Sequence, residues 1–431
     1  FAEMNLTGSI KRSVVEEYGA ILHVAGDQVY GKASVDTLTL KRGAIIKMDV
    51  KSDGTSFNNN DTINIGKLTL KGGCVFEFIQ HNSASATKPA AGDYYLGTYA
   101  AIDSTVSDSI YVEGLGGTAA TISFKDGKIY VHVPSTRGNT TISWDGSEST
   151  TWDIAKSENF VVDGSKDMFI GGDDVIFDDN ATSTSVVITG GVSPKSITFN
   201  NDTKTFTLSG DSIIGGTGLT KNGDGTLHIK NANNYTGNTV INAGKVFVAS
   251  MSNKEGVDNG SLGHVGNKLY INGGATLGFA SSMTMGNSII AGEGGATLNV
   301  GSSSTVIMKG SVFGSKTEDL IKDGAGQLSI YSGNTIKRLV IKAGTVYDAA
   351  NGHSCGDTIV FNGTSGTMSY MNSTGTNSAE VDPVNISIPY GKTGTLWVDG
   401  RCTMTGKLVG EGTLNLYIQW VRNYLQGNWS A

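Results

Sequence analysis

The sequence predicts an all-β chain folded as a β-solenoid, and three observations carry that prediction. A strand–turn–strand phrase occurs twice, about a hundred residues apart. Leu219-Thr-Lys221-Asn-Gly223-Asp-Gly225-Thr-Leu227-His-Ile229 precedes Val240-Ile-Asn-Ala-Gly244-Lys-Val246. Leu320-Ile-Lys322-Asp-Gly324-Ala-Gly326-Gln-Leu328-Ser-Ile330 precedes Val340-Ile-Lys-Ala-Gly344-Thr-Val346. A unit this small cannot bury its apolar face alone and must stack on a neighbour. Composition agrees: among 431 residues there are 60 glycines and 5 prolines. That ratio suits frequent turns between strands paired on both edges, where proline would remove a ladder donor. Helical periodicity is nearly absent, and Ser13 to Glu17 is too short to argue for a helix.

Looser versions of the phrase run along the chain. They include Leu38-Thr-Leu40-Lys-Arg-Gly43-Ala-Ile45, Leu68-Thr-Leu70-Lys-Gly72-Gly73-Cys-Val75 and Leu269-Tyr-Ile271-Asn-Gly273-Gly274-Ala-Thr-Leu277. Alternation over three to five residues turns every second side chain toward the core. Coils of ~20–25 residues are expected to stack in parallel, with like residues in register. Ile/Val/Leu ladders would then line the inside and Thr/Asn ladders the outside.

Residues 1–133 read as the C-terminal part of one solenoid unit, with 82–95 as a surface loop inserted between strands. Residues 134–141, around Pro134 and Gly138, form a linker. From 142 to 185 the chain is rich in aromatics (Trp144, Trp152, Phe160, Phe177), as an opening segment that plugs the end of a solenoid should be. The main solenoid occupies 186–431. The chain opens at Phe1 without a start methionine and closes at Trp429-Ser-Ala431 without an obvious cap, so it is expected to be a piece of a longer protein.

Charged residues make up 16% of the chain and the formal net charge is −7. No basic stripe with interleaved aromatics is present, which argues against a nucleic-acid partner. No apolar run of about 18 residues exists, so no helix of this sequence is expected to cross a membrane. Cys74, Cys355 and Cys402 have neither disulfide-framework nor metal-ligand spacing. Cys74 sits in a strand context and reads as a small buried hydrophobe; pairing of Cys355 with Cys402 depends on the fold.

The stretch from Gly215 to Val248, with Lys221-Asn-Gly223-Asp-Gly225-Thr-Leu and Tyr235-Thr-Gly237-Asn-Thr-Val-Ile-Asn-Ala-Gly244, closely resembles the autotransporter-associated β-strand repeat. Trp144…Trp152…Asn159-Phe160…Asp173-Asp174-Val-Ile-Phe177 looks like the segment that precedes such repeats in large surface proteins of Bacteroides-like bacteria. The ending from Gly412 to Ser430 is similar to the close of those regions. The resemblance implies a right-handed parallel β-helix, as one unit or two stacked units, exported and displayed at or beyond the outer membrane. The repeat is a scaffold motif and brings no catalytic residues. The second copy departs at Asp323, Ala325 and Gln327 and lacks the Tyr-Thr-Gly loop.

Candidate sites are few. Asp173, Asp174, Asp178 and Asp179 place oxygen ligands at turn spacing that could hold calcium, the one cofactor considered, although a solvated turn and strand end account for them better, since no EF-hand or nonapeptide calcium pattern is present. Asn222-Gly223-Asp224-Gly225 reads as a plain turn. His353-Ser-Cys355-Gly-Asp357 collects triad residue types without triad geometry, and Gly216-Thr-Gly218 lacks the dinucleotide fingerprint. The other histidines, His23, His81, His132, His228 and His264, are scattered. Asp145, Asp153, Arg338 and Lys342 could line a catalytic groove, and Tyr94, Tyr95, Trp397, Tyr417 and Trp420 could stack on sugars, but packing at coil edges accounts for the aromatics as well. Asp followed by Ser or Thr at Thr37, Thr62, Ser104, Ser109, Ser212 and Thr358 looks like the O-glycosylation sequon of Bacteroides-type exported proteins.

The leading expectation is a non-enzymatic cell-surface or secreted stalk, adhesin or scaffold that meets other surface proteins or glycans. The alternative is a glycan-binding or polysaccharide-degrading β-helix, a lyase or hydrolase, which a groove with paired carboxylates would favour.

Overall fold

The computed structural model describes residues 2–427 except 53–56, 72, 81–91, 104–109, 116–119, 134–137, 253–257, 315–317, 332, 349–355, 364–367, 374–379, 400–401 and 419–423. The described residues contain strands and turns and no helix, and most of the strand pairs are parallel. The chain divides into two compact units.

The first unit comprises Phe1–Thr198, Ser209–Gly218 and Asn233–Gly237. One of its sheets runs in parallel through Glu3–Leu6, Ile21–Val24, Ile45–Ser52, Val75–Gln80 and Tyr111–Glu113. A second carries Gly8–Glu16, Lys32–Lys41, Thr62–Lys71 and Gly92–Asp103 in parallel. Alternation in these strands sends one row of each sheet inward, and parallel pairing stacks like on like. Met4, Leu22, Ile46, Phe76 and Val112 form a ladder in the first sheet. Val14, Leu38, Leu68 and Ile102 form one in the second. Both ladders belong to one apolar core, and each fully buried aliphatic side chain contributes about 1.5–3 kcal/mol.

The parallel run of the second sheet ends in an antiparallel hairpin, Thr121–Lys125 with Lys128–Val133. Its turn, Asp126-Gly127, has φ of 50° and 72°. Two consecutive positive φ values are what a tight hairpin turn matched to strand twist requires, and Asp-Gly supplies them at low cost. Asp163-Gly164, with φ of 49° and 80°, repeats the device between Phe160–Val162 and Ser165–Asp167. That hairpin pairs antiparallel to Thr141–Trp144, whose other edge pairs in parallel with Asp174–Asp178. Covering a strand edge in this way removes a template for unwanted pairing. Trp144, Trp152, Phe160, Phe169 and Phe177, none more than 1% exposed, make one cluster of mostly edge-to-face rings. The Trp144 indole N–H donates to the Ser183 carbonyl at 2.7 Å.

The second unit comprises Phe199–Leu208, Leu219–Ala232 and Asn238–Ala431. Its strands fall into three main parallel sheets. One contains Leu219–Asn222, Thr239–Ile241, Leu269–Ile271, Ile289–Ala291 and Val312–Gly314. Another runs from Thr226–Ile229 through Lys245–Val248, Thr276–Phe279, Ala296–Val300, Asp319–Asp323, Arg338–Ile341 and Thr358–Phe361 to Leu408–Val409. The third begins at Met283–Met285 and ends at Thr413–Ile418. Coil length varies more widely than expected, from 18 residues between Leu328 and Val346 to 31 between Val246 and Leu277.

The expected ladders are present. Phe206, Leu227, Val246, Leu277 and Leu298 stack inside. Outside, Asn272, Asn242 and Asn222 each donate a side-chain amide hydrogen to the preceding asparagine, ending on Asn200, at 2.8–2.9 Å. The expectation of simple register between the two sequence copies is corrected. The first copy lies on the first and second sheets, the second copy on the second and third. Strands of the third sheet enter the coil from Met283 onward, so the same corner recurs one face further round. What the two copies share is a local corner, not a position on the coil.

Candidate functional site

That shared corner is built around a buried lysine. Lys221 and Lys322 are both 0% exposed. Each points inward from the end of a strand, and Lys322 takes the core position between Leu298 and Ile341 in the stacked row. The aliphatic stem packs as a hydrophobe while the ammonium reaches the corner. There Lys322 Nζ donates to the carbonyls of Asp323 (2.9 Å), Gly324 (2.6 Å) and Ala343 (2.9 Å). Lys221 Nζ donates to the carbonyls of Asn222 and Gly223 (2.6 Å), with Asn201 at 3.4 Å. Burial pulls the Lys322 ammonium down to about 8, opposed by the Asp323 charge. The motif glycine of the next coil caps the corner. A Cβ on Gly344 (φ 74°) would meet the Gly326 and Gly324 carbonyls at 2.3 and 2.5 Å, and Gly244 (φ 69°) is placed alike against Gly225 and Gly223. The Asn222–Gly225 segment is therefore a turn, as its sequence suggests.

The second constellation is a cavity of about 460 Å³ in the first unit, lined in part by Glu77, Glu113, Asn139, Gly172, Lys195 and Thr217. Glu77 and Glu113 are register partners on adjacent parallel strands and so point to the same side. They continue an outward row of Asn5, His23, Lys47, Glu77 and Glu113. Burial, then the neighbouring Glu77 charge, pushes the Glu113 carboxyl up to about 8, with the Gly216 N–H opposing. Glu113 Oε1 is buried without a hydrogen-bond partner in the described structure. Gly215 sits at φ 89°, and a Cβ there would lie 1.9 Å from that oxygen and displace the carboxyl. Burial also raises Glu77, against the Lys47 charge, whose Nζ lies 4.0 Å from Glu77 Oε2. At neutral pH one carboxyl is thus a proton donor beside a second acidic group.

Of the aspartates singled out by sequence, Asp173 and Asp174 adjoin the cavity-lining Gly172 and Lys195, and all four are engaged or placed locally. Asp173 is fully buried and accepts the N–H groups of Thr140 (3.1 Å) and Ile170 (2.9 Å). Asp174 accepts from Ser196 (2.6 Å) and from Lys195 (3.0 Å), itself a lining residue of the cavity. Asp178 accepts the N–H of Asn180 at 2.8 Å, and Asp179 is half-buried. Among the described residues, the group of three that brings metal-ligating atoms within 4.8 Å of one another is a different one, His23, Asp49 and Asp61.

Other sequence candidates are distributed over the two units. Asp145 accepts from Ser147 and Thr182, which lower its carboxyl. Asp153 accepts from Ser157, and Arg338 pairs with Asp319. Tyr95 packs edge-to-face on Tyr130, and Trp397 stacks on Tyr417 at 5.4 Å with Tyr417 58% exposed; Trp420 lies outside the described residues. Thr37, Thr62, Ser212 and Thr358 are half-buried, and Ser212 accepts from Arg42 at 2.9 Å. Ser104, Ser109 and the His353–Cys355 segment, with Cys355, lie outside the described residues. Cys74 is 1% exposed and burial pushes its thiol up to about 12, so it packs as a hydrophobe. Sequence reasoning missed Glu77 and Glu113. The available signal was the twice-used pattern of two large side chains before Glu, in Val75-Phe-Glu77 and Tyr111-Val-Glu113.

The corner motif also decides the comparison with known families. Residues 219–246 match the passenger-associated-transport-repeat model. This is the autotransporter-associated repeat that the Lys221-to-Gly244 phrase resembles. Its match spans the buried lysine, the Gly223–Gly225 corner and the capping Gly244. No curated protein and no solved structure matches the chain significantly. Among the described residues no helix is long and apolar enough to cross a membrane.

Proposed function

We propose that the chain is part of the passenger region of an exported bacterial surface protein, a right-handed β-solenoid that serves as stalk, adhesin or spacer without enzymatic activity. The observation that carries this reading is the passenger-type repeat at 219–246, whose lysine and glycines are consumed in holding a corner together. A motif whose lysine and glycines are taken up by the corner serves architecture. The outer face offers Asn ladders instead, and its partners are other surface proteins or glycans. The test is labelling of intact cells that express the parent protein with an antibody raised against 219–246. Signal on unbroken cells is expected; signal only after lysis sinks surface display.

A second reading rests on the Glu77/Glu113 cavity, which has the paired acidic groups that glycan hydrolysis uses. A reducing-end release assay over plant, host and microbial polysaccharides separates the two. Release from one substrate that disappears in Glu113→Gln establishes the enzyme and overturns the scaffold reading. Calcium at Asp173, Asp174, Asp178 and Asp179, and O-glycosylation at one or more of the six hydroxyls, accompany either reading. Calorimetric calcium titration and intact mass of the exported protein test them.

A further inference from the structure

His23 lies at the centre of a buried polar cluster that neither the repeat nor the acidic cavity uses. It is 1% exposed, and Asp49 and Asp61 are 0% exposed. Its Nδ1 sits 3.2 Å from Glu3 Oε1. A carboxylate can only accept, so Nδ1 carries the hydrogen, and in the neutral imidazole Nε2 presents a lone pair. That Nε2 is buried, makes no hydrogen bond in the described structure, and faces Asp49 Oδ1 at 3.7 Å. A lone pair aimed at a carboxylate oxygen is unfavourable unless a cation lies between them.

The aspartates are held from behind by the backbone. Asp61 Oδ1 accepts from Gly31 N and Oδ2 from Asp49 N, both at 2.7 Å, and Asp49 Oδ2 accepts from Val29 N at 3.0 Å. Each hydrogen bond uses one lone pair and fixes the carboxylate. The three donor atoms lie within 4.8 Å of one another. Two fully buried carboxylates, Asp49 and Asp61, share one buried imidazole, an arrangement that is costly without a compensating cation.

We propose that His23, Asp49 and Asp61 bind one divalent transition-metal cation of the zinc or manganese class, with Glu3 orienting the imidazole. One nitrogen and carboxylate oxygens suit such an ion better than calcium, which takes six to eight oxygens. The carboxylate–histidine arrangement at Nδ1 is the usual outer support of a metal-bound imidazole. The ion ties the strand Ile21–Val24 to the strand Ile45–Ser52 and to Asp61 at the start of Thr62–Lys71, and its role is structural.

The test uses the full chain, stripped with chelator and titrated with zinc and with cobalt(II) as a spectroscopic probe. One equivalent is expected to bind, raising Tm, with one imidazole in the zinc X-ray absorption spectrum. His23→Gln and Asp61→Asn should abolish binding, and Glu3→Gln should weaken it about 10–100-fold. Asp174→Asn, in the separate aspartate group, should leave it unchanged. No retained metal, a spectrum without imidazole, or equal binding by a folded His23→Gln protein overturns the proposal. Should His23→Gln fail to fold, the wild-type spectrum and the Glu3→Gln titration decide the matter, because Glu3 lies at the surface side of the cluster with a side chain 43% exposed.

Discussion

At the scale of single residues, two buried ionisable groups set opposite pH dependences. Glu113 has its folded value raised to about 8. The native chain therefore holds a proton that the unfolded chain releases between about 4.5 and 8, and stability falls as pH rises through that window. One extra bound proton corresponds to a slope of about 1.4 kcal/mol per pH unit. Glu113→Gln should flatten the denaturation midpoint between pH 5 and 8; an unchanged slope would mean that the carboxyl is ionised in the fold. Lys322, lowered to about 8 from 10.5, works the other way. The unfolded chain binds its proton more tightly, so stability rises from pH 8 toward 10.5. Lys322→Met keeps the stem but strands three carbonyls, and should cost about 1–3 kcal/mol at pH 7 in urea unfolding. A neutral result would show that the ammonium adds nothing beyond packing.

At the scale of elements, the corner is the unit that evolution could copy. Gly244 and Gly344 sit at positive φ under the carbonyls of the coil before. Gly344→Ala should destabilise by about 1–2 kcal/mol from the left-handed conformation alone, with more from the carbonyl contact. Gly391, also at positive φ but with open space around it, should cost only the conformational part. Comparing the two substitutions by thermal unfolding isolates the close approach, and equal losses would remove it from the account. The hairpin turns Asp126-Gly127 and Asp163-Gly164 of the first unit are legible from the dipeptide once flanking strands are recognised. The rotation of the second repeat copy by one face was not legible. It depends on where strands of the third sheet enter the coil, and those residues carry the same alternation as any other strand.

At the scale of the molecule, coils pair with their neighbours in sequence, so stability should be nearly additive along each unit. Ending the chain at residue 399 removes the strand Thr413–Ile418 and the exposed Tyr417 and Ile418. Hydrogen exchange should then leave protection at 219–246 intact while loosening the strand Thr393–Asp399. Loss of protection throughout would point to cooperativity beyond neighbouring coils.

The sequence by itself determined the all-β class, the stacked coils, the inside and outside ladders and the corner motif. These follow from period-two alternation and from glycine, which are local properties. The tertiary structure alone decided that Lys221 and Lys322 are buried cations, since a lysine in a strand is ordinarily read as solvent-facing. It likewise decided that Glu77 meets Glu113, 36 residues on, and that His23 meets Asp49 and Asp61. Register between strands of different coils sets those meetings. Register depends on coil lengths that run from 18 residues, between Leu328 and Val346, to 36, between Glu77 and Glu113, which no local pattern encodes.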